Sequence, residues 1–243
     1  MKAIILAAGY ATRLYPLTLD KPKALLQIQG KPIIDYILDQ MNTVSDIDQI
    51  FVVSNSKFVE QFREWAYNAQ TGIPIKVLDD GSVDEASKLG AIGDISFVIE
   101  NEKIDEDIIV IAGDNLFSFP LADYNRFFAE KDCDCVCVQR VEDREACKQL
   151  GIALLDETNR VIDMEEKPQE PKSDCVVFAI YMYKRETIPL IKQYLDEGNK
   201  PDAPGNFVGW LYKRKPVYAY IISGKCYDIG THDALKQAEH IVL

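Results

Sequence analysis

Arg13, Lys23, Asp114, Lys167 and Asp228 are the side chains in this sequence best suited to chemistry, and together they suit chemistry on phosphate. Arg13 and Lys23 share one early stretch, LAAGYATRLYPLTLDKPKALL (residues 6–26). There an apolar run over residues 3–7 ends in Ala8 and Gly9, and Tyr10, Ala11 and Thr12 lead into the cations. Small residues let backbone N–H groups approach oxygen atoms closely, and fixed cations add charge. Arg13 offers a planar fork for two phosphate oxygens, whereas Lys23 is a point charge. An ordinary strand–loop–helix start with surface lysines would use similar residues, but here three features that suit phosphate coincide at one strand end. Asp114 follows the apolar run 108–112, just past a strand's carboxyl end, where open α/β sheets place ligands. Asp228 stands between a short strand and Gly230-Thr231. Either aspartate alone reads equally well as a turn former. As a pair, with phosphate oxygens, they suit a hard divalent cation. Glu166-Lys167-Pro168 is by composition a charged turn.

The elements that must position these residues follow from periodicity. Residues 3–7, 49–54, 74–78 and 108–112 read as buried strands. Helices are expected from Pro32 to about residue 44, over 57–69 with Phe58, Phe62 and Trp65 on one face, and from 89–94 to about 100. That alternation argues for βαβ units and a mainly parallel, Rossmann-like sheet flanked by helices. From residue 132 strands cluster instead (133–141, 152–155, 161–165, 175–183), with only a short helix signal over 142–147, and read as antiparallel additions. Helices over 186–196 and 207–213, strands over 217–222 and 226–228, and a closing helix capped by Thr231 complete the pattern.

The ordered motif LAAGxATRLxPLTxxxPKxLLxIxGKP resembles the signature loop of the sugar-1-phosphate nucleotidyltransferases, with the glucose-1-phosphate thymidylyltransferases close by. The resemblance extends over nearly all 243 residues, with strong motifs in four places. It implies an α/β nucleotide-diphospho-sugar transferase fold, and an enzyme that condenses a nucleoside triphosphate with a sugar-1-phosphate to an NDP-sugar and pyrophosphate. It implies Mg²⁺ held by Asp114 of Gly113-Asp114-Asn115 and by Asp228, and catalysis by Arg13, Lys23 and Asp114. Leu6, Ala8, Gly9, Tyr10, Ala11, Thr12, Asp79, Leu89, Gly90 and Asn115 would line the nucleotide. Glu166 and Lys167 would hold a sugar hydroxyl and the sugar's phosphate, with Tyr181 and Trp210 lining the sugar pocket. Three departures stand out. Ala11 replaces a family glycine, so the loop must either keep a negative φ or sit differently. Asp79, Asp80, Asp84 and Glu85 stand where relatives read the base with a glutamine; ionised carboxylates only accept hydrogen bonds, which suits the amino groups of guanine or cytosine. Pro204-Gly205-Asn206-Phe207-Val208-Gly209-Trp210 replaces the family's usual sugar-pocket helix start.

Composition narrows the field further. A single domain is expected over residues 1–243, with a nucleotide-binding half (1–130) and a sugar-phosphate half (131–243), resembling the catalytic domain alone. A net charge of −12 argues against a nucleic acid polymer as partner. No apolar stretch is long enough to span a bilayer and no secretory signal opens the chain, so a cytoplasmic protein without a membrane partner is expected. A homo-oligomer is compatible with all of this. Six cysteines lack zinc-type spacing and read as free, mostly buried thiols. Two rivals remain: a cytidylyltransferase acting on a non-sugar phosphate, and a non-catalytic nucleotide-sugar-binding regulatory relative. A nicotinamide dehydrogenase fits poorly, because no GxGxxG follows the first strand.

Overall fold

The computed structural model describes residues 1–240. In the first half, β1 (Lys2–Leu6), the hairpin β2 (Gln27–Ile28) and β3 (Lys31–Pro32), α1 (Ile33–Met41), β4 (Gln49–Ser54), α2 (Val59–Asn68), β5 (Ile75–Asp79), α3 (Ala91–Glu102), β6 (Ile108–Ala112), β7 (Asn115–Phe117) and α4 (Leu121–Lys131) follow in order. The second half brings β8 (Asp134–Arg140), α5 (Arg144–Cys147), β9 (Gly151–Leu155), β10 (Val161–Glu166), β11 (Cys175–Tyr183), α6 (Ile188–Asp196), α7 (Pro204–Leu211), β12 (Val217–Ile221), β13 (Cys226–Asp228) and α8 (His232–Ala238).

The main sheet runs β10-β9-β11-β6-β1-β4-β5, with β8 attached to β11 and β12 to β8. Strands β6, β1, β4 and β5 are mutually parallel. Their runs, such as Ala3-Ile4-Ile5 and Ile108 to Ile111, are apolar on both faces because helices cover both. One cluster packs α1, α2 and α4 residues (Ile37, Phe62, Tyr124) against Ile5 and Ile111; the other packs α3, α6 and α7 residues (Ile95, Ile191, Phe207) against Ile4 and Val110. The antiparallel additions come through β11, which pairs with β6, β8 and β9. The expected mixed sheet, mainly parallel in its first half, is the sheet observed.

Some elements differ from the expectation. Helix α4 was not expected, although Leu121, Tyr124 and Phe128 are all buried at the i, i+3, i+7 spacing that marks a helix face. The strand expected from residue 133 begins at Asp134, because Asp132 closes α4 in a left-handed conformation (φ 48°). Cys135 and Cys137 share one core cluster while Val136 and Val138 lie in the other, as alternation across a strand requires. All six cysteines are free thiols.

Chain connectivity sets where a ligand can sit. From β1 the chain moves outward through β4 and β5, then returns through α3 to β6 on β1's other side. The crevice between the carboxyl ends of β1 and β6 is therefore the topological switch point of the sheet. Gly113 closes it tightly: its N–H donates to the Leu6 carbonyl at 2.8 Å, and a Cβ there would lie 3.0 Å from that oxygen.

Candidate active site

The loop after β1 carries the first cations into this crevice. Its Ala8 and Tyr10 are buried and its Gly9 is exposed, as are Thr12 and Arg13. Ala11 takes φ 48°, ψ 44°, the left-handed conformation a glycine would adopt freely. The first alternative, a loop that keeps a negative φ, is thereby excluded. The strain, about 1–2 kcal/mol for an L-residue, is offset locally. The Ala11 carbonyl accepts from the buried Thr18 hydroxyl at 2.8 Å and from the Leu14 N–H at 3.0 Å. Leu14 is fully buried with Leu26, Ile28, Ile33, Leu116 and Ile229 in a small satellite core. That core fastens the cation-bearing loop to β7 and to the segment after β13.

The two carboxylates meet because β7 and β13 pair antiparallel, with Asp228 opposite Asn115, and because the Ile229 N–H donates to the Asp114 carbonyl at 3.2 Å. The Asp114 side chain is ion-paired with the Lys23 ammonium. Burial, and the Asp114 charge beside it, push the Asp228 carboxyl up to about 6, while Lys23 and Lys167 pull against that rise. Asp114 and Asp228 in turn raise Lys23 against its burial, whereas the nearby Arg13 lowers it. Arg13, Lys23, Lys167, Asp114 and Asp228 thus feel one another's charge in a single cleft. Arg13 and Lys167 form no ion pair among the described residues, so both cations are free to take an anion. No cluster of three or more His, Cys, Asp or Glu suited to a metal is present among the described residues. Two adjacent oxygen donors fit a hard cation only if other oxygens, such as phosphate, complete its shell.

Lys167 sits in a left-handed turn (φ 49°) directly after β10, its N–H donating to the Leu150 carbonyl at 3.1 Å. Glu166 before it faces a cavity of about 500 Å³ lined by Asn199, Asn206, Gly209, Trp210 and the cations Lys200, Lys213 and Arg214. Burial raises the Glu166 carboxyl, partly countered by Lys167. This cavity therefore opens beside the charged cleft.

Other residues expected at the site are placed differently. Tyr181 is largely a core residue, 2 % exposed and stacked on Tyr183, and the Glu166 charge reaches it. The Asn115 side chain is buried and donates to the Ala179 carbonyl at 3.1 Å, at the irregularity where β11 changes partners. This bond braces the strand. Asp79 Oδ1 accepts from the Ser56 hydroxyl (2.7 Å) and the Gly81 N–H (2.9 Å), holding a turn. Trp210 does line the cavity, but its indole N–H is committed to Glu197 at 2.7 Å and Arg214 covers its ring. Leu6 and Leu89 are half-buried and Gly90 is buried at the head of α3. Sequence reading missed Thr18, whose hydroxyl braces the loop, and the amides Asn199 and Asn206. No local pattern marks the amides, because their importance arises only from the fold around Glu166.

A mixed α/β sheet thus holds paired carboxylates and three cations beside its switch point. The chain belongs to the Nucleotidyl transferase family, whose model matches residues 2–243. Among its relatives is a glucose-1-phosphate thymidylyltransferase of Neisseria meningitidis, 30 % identical over all of this chain and 82 % of that protein. A Sulfolobus acidocaldarius protein, whose assignment as a mannose-1-phosphate guanyltransferase is itself provisional, is 34 % identical over 79 % of this chain and 50 % of its own length. The chain spans about half the length of the first curated relatives it matches (50 % and 51 %). A UDP-glucose pyrophosphorylase solved with UDP-glucose superposes with a TM-score of 0.84 over 98 % of this chain and 97 % of that one; at 21 % identity it attests the fold.

Proposed function

We propose that this protein condenses a nucleoside triphosphate with a sugar-1-phosphate, giving an NDP-sugar and pyrophosphate. The observation that carries the reading is the convergence of Arg13, Lys23, Lys167, Asp114 and Asp228 at the β1/β6 crevice. Relatives named for uridylyl, thymidylyl and adenylyl transfer to glucose-1-phosphate support it. A sugar-phosphate oxygen forms the new bond to the α-phosphorus as the bond to the pyrophosphate oxygen breaks. That nucleophile is already an anion near neutral pH, so no general base is needed, and positioning with charge neutralisation does the work. Arg13 clamps the leaving pyrophosphate with its fork. Lys23 and Lys167 keep the two reacting phosphates from repelling one another. Asp114 and Asp228 would hold Mg²⁺, which supplies neutralisation of phosphate charge when bound. Glu166 and the cavity amides would orient the sugar. No helix among the described residues is long and apolar enough to cross a membrane.

The test is a pyrophosphate-release assay with glucose-1-phosphate and mannose-1-phosphate against ATP, GTP, CTP, UTP and dTTP, with and without Mg²⁺. Mg²⁺-dependent release with at least one pair is expected; silence across the whole panel, with nucleotide binding intact, would favour the regulatory rival instead. Gly205→Ala probes the acceptor side. A methyl there would collide with the Glu166 carboxylate and lie 3.0 Å from Met164 Cε. The substitution should cost about 1–3 kcal/mol of stability as an overpacked contact and raise KM for the sugar phosphate more than KM for the nucleotide. Equal KM changes would detach Glu166 from the acceptor.

A further inference from the structure

Four buried polar atoms lack a hydrogen-bond partner among the described residues: the Tyr10 and Tyr183 hydroxyls, Asp80 Oδ2 and Asp94 Oδ1. Three of these belong to one place. Tyr10 lies on the loop after β1, Asp80 directly follows β5, and Asp94 is in the first turn of α3; they are only 5 %, 8 % and 6 % exposed. Ser82 links them. Its N–H and hydroxyl both donate to Asp80 Oδ1 at 2.7 Å, and the Tyr10 hydroxyl lies alongside it. Backbone bonds weave the same spot together: Asp80 N–H to the Ser54 carbonyl (2.9 Å) and Ser56 N–H to the Ser82 carbonyl (3.0 Å). The Asn55 amide reaches the Ala8 carbonyl of the cation-bearing loop at 2.8 Å. The cluster therefore stands at the carboxyl ends of β1, β4 and β5, flanking the charged cleft.

Orphaned buried polar groups cost about 1–3 kcal/mol each, so a chain does not gather them without a compensating arrangement. Ionised carboxylates accept hydrogen bonds but donate none, so Asp80 and Asp94 cannot satisfy one another while both are charged. Their side chains are within hydrogen-bonding reach, and neither carries an ion pair among the described residues. The groups facing the cluster are anionic or neutral. Asp80 acts on Asp94, and Asp80, Asp84 and Glu85 act on Tyr10; the elements packed on α3, namely β1, β4, α6 and α7, bring no ionisable group to Asp94. Burial and the neighbouring Asp80 charge push the Asp94 carboxyl up to about 8. One proton shared between the two oxygens converts both orphans into a single charge-assisted O–H···O bond.

We propose that Asp80 and Asp94 form a proton-sharing clamp that holds the 80–90 segment against the head of α3 and thereby sets one wall of the nucleotide site. Both are positioning residues, and the phosphate chemistry above uses neither. The clamp stands on its own geometry; only its kinetic consequence rests on the proposed function. The native chain holds on Asp94 a proton that the unfolded chain releases near 3.8. Stability contributed at this site therefore falls as pH rises from about 4 to about 8 and then levels off. Above that window the pair carries two charges and the clamp opens.

Asn supplies at position 94 an N–H donor that never ionises, so Asp94→Asn mimics the closed clamp at every pH. Wild type, Asp94→Asn and Asp94→Ala are compared by hydrogen exchange over residues 80–94 and by thermal melts at pH 7 and 9.5. KM is measured for whichever of the five nucleotides is turned over. On raising the pH, wild-type exchange in this segment, corrected for intrinsic rates, should accelerate roughly tenfold, the factor that 1.4 kcal/mol of opening represents. KM for the nucleotide should rise severalfold with kcat little changed. Asp94→Asn should show neither shift and should out-melt wild type at pH 9.5, and Asp94→Ala should resemble the open state at both pH values. The same pH response in wild type and Asp94→Asn would overturn the clamp, as would an unchanged segment in Asp94→Ala. A wild type that turns over no nucleotide would sink the proposed function instead, with exchange and melting still deciding the clamp.

Discussion

Asp114→Asn is expected to lower kcat about a thousandfold, near 4 kcal/mol of transition-state stabilisation, while the melting temperature stays close to wild type. Asp114 touches both halves of the charge arrangement: it pairs with the Lys23 ammonium and abuts Asp228. On the proposed reading, removing its charge weakens one of the two carboxylates that would hold the divalent cation, and it breaks the ion pair with Lys23. The fold should tolerate the change, because Asp114 lies in the turn between β6 and β7, and its backbone carbonyl, which Asn retains, makes the bond to Ile229. Asn keeps one neutral acceptor, so binding of the metal–nucleotide complex should weaken without vanishing. Steady-state pyrophosphate release against Mg²⁺ concentration, with circular dichroism as the fold control, checks both halves. Turnover within a few-fold of wild type would remove Asp114 from the chemistry.

Asp134→Ala should have the largest effect on stability, about 3–5 kcal/mol, the range for breaking a buried charge pair by deleting one partner. Asp134 is completely buried at the start of β8. It accepts from the Thr187 hydroxyl (2.8 Å to each oxygen) and the Lys184 N–H (2.8 Å), and pairs with Lys215 at 2.9 Å. Burial raises this carboxyl, and Lys215 with the hydrogen bonds opposes the rise, so the carboxylate and its partners hold one another in place. Alanine would strand the Lys215 ammonium, the Lys184 N–H and the Thr187 hydroxyl where β8, β12 and the entry to α6 meet. A fall in melting temperature of roughly 10 °C is expected for a chain of this size. A loss below about 1 kcal/mol would mean that Lys215 reaches water once freed. Because this network is remote from Arg13 and Asp114, activity per folded molecule should be unaffected.

Much of this molecule was legible before its structure. Apolar runs at residues 3–7 and 108–112 read as strands covered on both faces, and the ordered motif around Arg13 and Lys23 marked the loop that the fold brings to the β1/β6 crevice. Ala11 shows the limit of such reading: a residue type suggests a conformational preference, yet Thr18 and Leu14 hold the backbone where glycine would have gone. Tyr181 shows another limit. Register fixes which face of the sheet an aromatic in a β-strand takes, and Tyr181 stacks on Tyr183 within the core there. The missed helix α4 is a failure of reading rather than of signal, since Leu121, Tyr124 and Phe128 carry its period.

Local sequence alone determined which segments become strands and helices and which residues could bear charge on phosphate, because periodicity and side-chain chemistry are properties of neighbours along the chain. Whether Asp114 and Asp228 would ever meet was decided only by tertiary structure. Their approach depends on two three-residue strands from opposite halves pairing in one register. The satellite core of Leu14, Leu116 and Ile229 then presses the Arg13 loop against them. Strands that short have no stability of their own, so it is the surrounding packing, and not their residues, that sets the site.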